Sequence, residues 1–215
     1  MTKDEARIRP YRPGDLDDLY RICLLTADNG EDATSLYPDP RLPGHVFAAP
    51  YGVCEPSLAF VAEDAAGVGG YIVGARDSQD FERRLERDWW PRLRGSYPVP
   101  AADAPRQELS REQRAASYIH HPLSTPDELN ARYPSHLHID LLPRLQGHGL
   151  GRGLINTFIA ALRDQGSPGV HLHVSRHNPR AVEFYRHVGF TDLTPTARTF
   201  GLPAEADGYL FGIDL

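Results

Sequence analysis

Along the chain the spacing of apolar residues changes several times, and each change marks an element. ARIRPY (6–11) alternates as a strand. RPGDLDDLYRICLLTAD (12–28) then places acidic residues at a helix start and Leu16, Leu19, Ile22 and Cys23 at helical spacing. Residues 30–56 lose any period. Pro38, Pro40, Pro43, Pro50 and Pro56 punctuate them, which predicts a long irregular segment bordering a substrate cleft, with Phe47 and Tyr51 as candidate walls. SLAFVAEDAAGVGGYIVGARD (57–77) reads as a hairpin: two apolar runs joined by turn residues from Asp64 to Gly67.

From 78 to 133 the pattern is helical. Phe81, Leu85, Trp89 and Leu93 form one stripe, SREQRAASYI (110–119) predicts a second helix, and Thr125-Pro126 predicts a cap and first turn for a third. Pro98, Pro100 and Pro105 link the first two. This stretch is an expected insertion into a single domain spanning 1–215, and Trp89-Trp90 is a candidate exposed dimer contact. SHLHIDLL (135–142) returns to strand, GLGRGLINTFIAALRDQG (149–166) is an amphipathic helix closed by Gly166, GVHLHVS (169–175) is a strand, and NPRAVEFYRHVGF (178–190) is a helix ending at Gly189. Strand, helix, strand, helix predicts a right-handed crossover and a parallel strand pair. FTDL and GYLFGIDL add two strands, so the expected fold class is α/β with a mixed sheet.

The chemistry concentrates where the strand at 135–142 hands over to the helix. Amides in the first turn of a helix lack internal partners and carry the positive end of the helix dipole, so glycines there let an anion such as pyrophosphate reach the backbone. Gln146, Gly147, His148, Gly149, Leu150 and Gly151 form such a turn, and Arg152 adds a positive charge. A dinucleotide fingerprint would need its glycines after the first strand and an acidic residue about 20 positions on. This turn comes late, after a hairpin, and has no Walker lysine.

Q-x-x-G-x-G at 146–151, followed by Asn178, Ala181, Tyr185, Gly189 and Phe190 as N-x-x-A-x-x-x-Y-x-x-x-G-F, resembles the GNAT superfamily of acyl-CoA-dependent N-acetyltransferases. At finer grain YPSHLHIDLLPRLQGHGLGR, with a helical insertion before it, is similar to the acetyltransferase-like domain attached to O-GlcNAc hydrolases and to its stand-alone bacterial relatives. The resemblance implies a GNAT fold in which the fourth and fifth strands splay apart and acetyl-CoA enters between them. It implies Leu141 and Leu142 for the pantetheine arm, Gln146, Gly147, His148, Gly149, Leu150, Gly151 and Arg152 for the phosphates, Asn178 from the other wall, and Tyr185 as a cofactor contact and as the acid for the departing thiolate. An amine-bearing acceptor would be the second substrate, attacking directly in a ternary complex.

His136, His138 and Asp140 alternate on one strand and share a face, so Asp140 can be the base, bind the amine, or orient a histidine, with His138 as the next candidate base. His171 and His173 repeat the H-x-H spacing on the following strand. Four imidazoles on adjacent strands raise zinc ligation and a metal-dependent hydrolase as a rival, but no metal is expected, because the family needs none and the strands separate there. His45, His120 and His121 are expected to be solvated. A non-catalytic acyl-CoA-binding or interaction module on the same fold is the other rival.

Composition adds bounds. The 215 residues carry a net charge of −6, which argues against nucleic acid as a partner and leans toward a cationic acceptor. No apolar run approaches the roughly 18 residues of a membrane span. No secretory signal is visible, Cys23 and Cys54 are isolated, and Lys3 is the sole lysine of an arginine-rich chain, so a bacterial, cytoplasmic protein with reduced thiols is expected.

Overall fold

The computed structural model describes residues 6–99, 109–202 and 208–215. Among these the chain runs β1 (Arg7–Pro10), α1 (Leu16–Leu24), α2 (Leu42–Phe47), α3 (Ala49–Cys54), β2 (Ala59–Asp64), β3 (Gly67–Ala75), α4 (Ser78–Asp88), α5 (Trp90–Leu93), α6 (Arg111–His120), α7 (Asp127–Arg132), β4 (Ser135–Leu141), α8 (Leu150–Asp164), β5 (Gly169–Val174), α9 (Pro179–His187), β6 (Thr191–Asp192) and β7 (Tyr209–Asp214). The described strands form one seven-stranded sheet in the order β1-β2-β3-β4-β5-β7-β6. Every neighbouring pair is antiparallel except β4 and β5, so the mixed α/β sheet and its one parallel pair are as expected.

Each face of the sheet carries its own core. Leu150, Leu154, Ile155, Phe158, Ile159 and Leu162 form the buried stripe of α8, which packs with Ile72, Leu137, Leu172 and Phe211 on one face. On the other, Leu19, Ile22 and Cys23 of α1 meet Val61, Tyr71 and Val73. Each fully buried Leu, Ile or Phe contributes roughly 1.5–3 kcal/mol. The two helical faces are therefore held by the period of the sequence, while glycine sets how closely they approach: a Cβ on Gly74 would lie 2.1 Å from the His136 carbonyl oxygen and 2.5 Å from the Phe158 ring. The β2–β3 hairpin closes as its turn residues predict, with Asp64 Oδ1 accepting the Ala66 N–H at 2.9 Å. At its outer edge Arg9 grips Asp15 through both terminal nitrogens (2.7 and 2.9 Å) and Glu63 through Nε (2.8 Å).

Three expectations are corrected. Residues 30–56 are not irregular throughout: Pro43 and Pro50 sit in the first turns of α2 and α3, where a missing N–H costs nothing, and Leu42, Val46, Ala49 and Tyr51 are buried. Trp89 and Trp90 are not an exposed pair. Trp90 is 4% exposed and Trp89 Nε1 donates to the His45 carbonyl at 3.0 Å, because the helices of 78–133 fold back onto α2 instead of standing away from the body. Thr125 does not cap α7. Its amide and hydroxyl both bond Glu82, and Pro126 takes the cap position. Pro100 and Pro105 lie outside the described residues. None of the described helices is long and apolar enough to cross a membrane.

The topology opens a slot at the parallel pair. Only Ser135↔Val170 and His136↔His171 are in register, yet β4 continues to Leu141 and β5 to Val174. Beyond the second pair, the edges of β4 and β5 that face each other have no strand partner.

Candidate active site

The mouth of the slot is the glycine turn. Gly147 and Gly149 both adopt φ 78°, in the left-handed region, and a Cβ on either would meet nothing within 4 Å, so their glycine identity answers to backbone conformation and leaves the turn open to solvent. Among the described residues, the amides of residues 147–152 find no protein acceptor; the first α8 bond is Gly153 N–H to Gly149 C=O at 2.9 Å. Six unpartnered amides around the start of a 15-residue helix present a concentrated positive potential.

Side chains close the turn against α9. Gln146 Nε2 donates to the Leu141 carbonyl at 2.8 Å and its Oε1 accepts from Arg180 at 2.6 Å. Gly151 brings α8 close to the Phe184 ring, which a Cβ there would meet at 3.2 Å. Arg152 donates to the His187 carbonyl at the end of α9. From this contact an open groove of about 630 Å³ runs along α9, lined by Pro179, Arg180, Glu183, Phe184 and His187.

Within the slot, titratable groups from both sides meet in order. His136 and His171 sit at the closed end, ring centroids 5.9 Å apart. His138 of β4 and His173 of β5 come next, near enough that the positive charge of one disfavours that of the other. Asp140 and Tyr185 lie furthest out, the carboxylate near enough to oppose ionisation of the phenol. His136, His138 and Asp140 belong to the α1–α3 side of the sheet, whereas Tyr185 belongs to the α8–α9 core, packed among Phe184, Phe190 and Phe211. The slot is thus lined from both faces.

Burial sets the protonation of these groups. It lowers His138 and His171 to about 4 and drives His136 well below its ordinary value, so all three are neutral at pH 7. His173 is exposed, but enough protein surrounds it to lower its basicity too. Burial raises the Asp140 carboxyl, against the pull of the hydrogen bond from Tyr71, and raises the Tyr185 phenol.

The partners differ from those that strand alternation alone suggests. Asp140 bonds no histidine; Tyr71, its cross-strand neighbour in register, donates to it at 2.5 Å. His136 Nδ1 lies 2.7 Å from Ser78 Oγ, its Nε2 lies 2.8 Å from Tyr51 OH, and the same hydroxyl lies 3.0 Å from His138 Nε2. Phe47 stands 6.0 Å from His138, ring to ring, so Phe47 and Tyr51 both line this side. Asn178 caps α9 by accepting the Ala181 N–H at 3.0 Å. Leu142 is buried with both peptide groups engaged, by Gly69 and Leu145, whereas Leu141 offers its carbonyl to Gln146. Of the histidines expected in solvent, His45 bonds Tyr20 OH at 2.8 Å and His120 Nε2 lies 2.7 Å from the Tyr97 carbonyl oxygen. Among the described residues no three His, Cys, Asp or Glu side chains converge as a metal site would require.

Tyr71, Ser78 and Arg180 escaped the reading of the sequence. Tyr71 could have been found by laying the hairpin register against the strand at 135–142. Nothing local marks Ser78, whose role depends on the fold-back of α4.

Known proteins share this fold. The model of the acetyltransferase (GNAT) family matches residues 83–190. The crystal structure of SsHAT superposes with a TM-score of 0.83 at 37% identity, covering 98% of each chain. Protein O-GlcNAcase of Rattus norvegicus is 26% identical over 210 residues, 95% of this chain and 22% of that protein, so the chain spans about a fifth of that relative's length. Mycothiol acetyltransferase of Beutenbergia cavernae is 41% identical over 61 residues, 28% of this chain and 20% of the relative.

Proposed function

Because the chain belongs to the GNAT acetyltransferase family, we propose that it transfers the acetyl group of acetyl-CoA to a primary amine, by direct attack in a ternary complex. The observation that carries this reading is the slot between β4 and β5 with six unpartnered amides at its mouth. A diphosphate suits that turn, the pantetheine arm suits the open edge of β4 near Leu141, and the nucleotide suits the groove along α9, where Arg180 and the Phe184 ring offer charge and a stacking face. The bound thioester supplies an activated acyl carbon.

Asp140 and Tyr185 then divide the proton work. An ammonium must lose one proton before its nitrogen can attack, and Asp140, raised by burial, is a stronger acceptor than a surface carboxylate. Tyr185 protonates the departing sulfur. The Asp140 carboxylate makes the phenol a weaker acid; once that carboxylate has taken the amine's proton the opposition ends. The two groups are therefore timed: base first, acid second. The net charge of −6 favours a cationic acceptor.

The test is calorimetry with acetyl-CoA alongside thiol release across a panel of primary amines. Binding with amine-dependent release is expected. Binding without release for any amine would favour a non-catalytic acyl-CoA module, and no binding at millimolar acetyl-CoA would sink both readings.

A further inference from the structure

The nitrogen of an attacking ammonium loses two protons on the way to an amide, and the proposed function gives Asp140 only the first. Beside Asp140 on the same face stands His138, tied into a chain of hydrogen bonds whose direction follows from its far end. Ser78 Oγ lies 2.7 Å from the Pro134 carbonyl oxygen, which can only accept. Two oxygens at that separation without a proton between them would repel, so the single hydroxyl proton of Ser78 points at Pro134. Ser78 Oγ must then accept from His136 Nδ1–H at 2.7 Å. A neutral imidazole with its proton on Nδ1 has a lone pair on Nε2, which accepts the Tyr51 hydroxyl proton at 2.8 Å. That hydroxyl, its proton spent, accepts from His138 Nε2–H at 3.0 Å. The remaining atom, His138 Nδ1, therefore carries a lone pair. It has no partner among the described residues and is not one of the buried polar atoms left without one, so it faces accessible space.

We propose that Ser78, His136 and Tyr51 hold His138 as its Nε2–H tautomer, so that Nδ1 receives the second proton of the acceptor nitrogen. This rests on the acetyl-transfer reading for its chemistry but not for its geometry. In the balanced step the acceptor nitrogen bonds the acyl carbon, the carbon–sulfur bond breaks, Tyr185 protonates the sulfur, and the now more acidic N–H passes its proton to His138 Nδ1. Of the two protons that leave nitrogen, one replaces that given up by Tyr185 and one goes to solvent. Neutrality of His136, enforced by burial and by the imidazoles around it, keeps the chain in one direction, since a second proton on its Nε2 would turn Tyr51 around. A lone pair at Nδ1 also selects N–H donors over carbonyl oxygens as the group seated there. His138 is the catalytic residue of this step; Ser78, His136 and Tyr51 are positioning residues.

Two-bond proton–nitrogen spectra of the chain with labelled histidines, recorded without acetyl-CoA, read the tautomers directly. Substitution of His136 and His138 by Gln assigns the signals. His136 is expected as Nδ1–H and His138 as Nε2–H with Nδ1 bare. In Tyr51→Phe, His138 should become a tautomeric mixture, with kcat reduced about tenfold and acetyl-CoA affinity within twofold; His138→Gln should lower kcat about 100-fold. An Nδ1–H tautomer of His138 in the unaltered chain overturns the proposal whatever the activity. So does a Tyr51→Phe chain with unchanged tautomer and kcat. The expected tautomers in a chain that transfers nothing would instead refute the acetyl-transfer reading and leave the hydrogen-bond chain standing.

Discussion

The Tyr185 phenol and the Gly149 backbone act at opposite ends of the proposed reaction, so they should fail in opposite ways. Tyr185→Phe removes only a hydroxyl with no protein partner among the described residues and keeps the ring packed among Phe184, Phe190 and Phe211. Its kcat should fall roughly 100-fold while acetyl-CoA affinity by calorimetry is unchanged; unaltered turnover would remove it as the acid. Gly149→Ala does the reverse. An alanine at φ 78° costs about 1 kcal/mol of backbone strain, relieved by a turn that no longer aims its amides at one point, so acetyl-CoA should bind about fivefold more weakly. Gly166→Ala places the same residue at φ 72° past the other end of α8 and should lose similar stability without loss of affinity. At this scale the sequence displays what each side chain is but not whom it meets. Asp140 stands out as the one carboxylate of its strand, whereas its partner Tyr71 lies 69 residues away.

At the scale of elements, the period of apolar residues carries most of the outcome. The hairpin, α1, α8 and α9 form where alternation and helical spacing place them, because each has one continuous face to bury. Proline misleads between 30 and 56. A cluster of prolines reads as irregular chain, but proline in a first turn starts a helix as readily as it ends one, and which occurs depends on what the following residues can pack against. Here α2 and α3 pack against α1 and β3. The contact of α8 with the sheet gives a prediction of its own. Gly74→Ala drives a methyl into the His136 carbonyl and the Phe158 ring, and overpacking against backbone should cost about 3 kcal/mol or more. Urea unfolding measures it; a loss under 1 kcal/mol would mean that β3 and α8 can part without penalty.

The whole molecule carries its slot histidines uncharged, and this couples stability to pH. His171 is 4% exposed, bonds the Tyr133 carbonyl at 2.8 Å, and has its pKa lowered from 6.5 to about 4. The unfolded chain therefore binds a proton between pH 6.5 and 4 that the folded chain refuses, so stability present above pH 6.5 is lost as pH falls toward 4. For His171 the loss is about 3 kcal/mol over that window. Asp140 and Glu82, raised by burial, run the other way and gain as pH falls, so the contribution is best read as a difference. Relative to His171→Gln, the unaltered chain should lose about 3 kcal/mol between pH 7 and 4 by urea unfolding. Parallel stability curves for the two chains would show that His171 titrates normally.

Read alone, the amino-acid sequence determined the succession of strands and helices, the late glycine turn at 146–151, and the face shared by His136, His138 and Asp140. All three are consequences of local geometry: the pleat, the helical turn and the conformational freedom of glycine act within a few residues. The tertiary structure decided what distance along the chain conceals. It ended the β4–β5 pairing after two residues, carried Tyr51 and Ser78 to the histidines and Tyr71 to Asp140, turned Trp90 inward, and set Tyr185 across the slot. Long-range pairing is chosen by the packing of whole faces, and no short window of sequence contains both sides of such a contact.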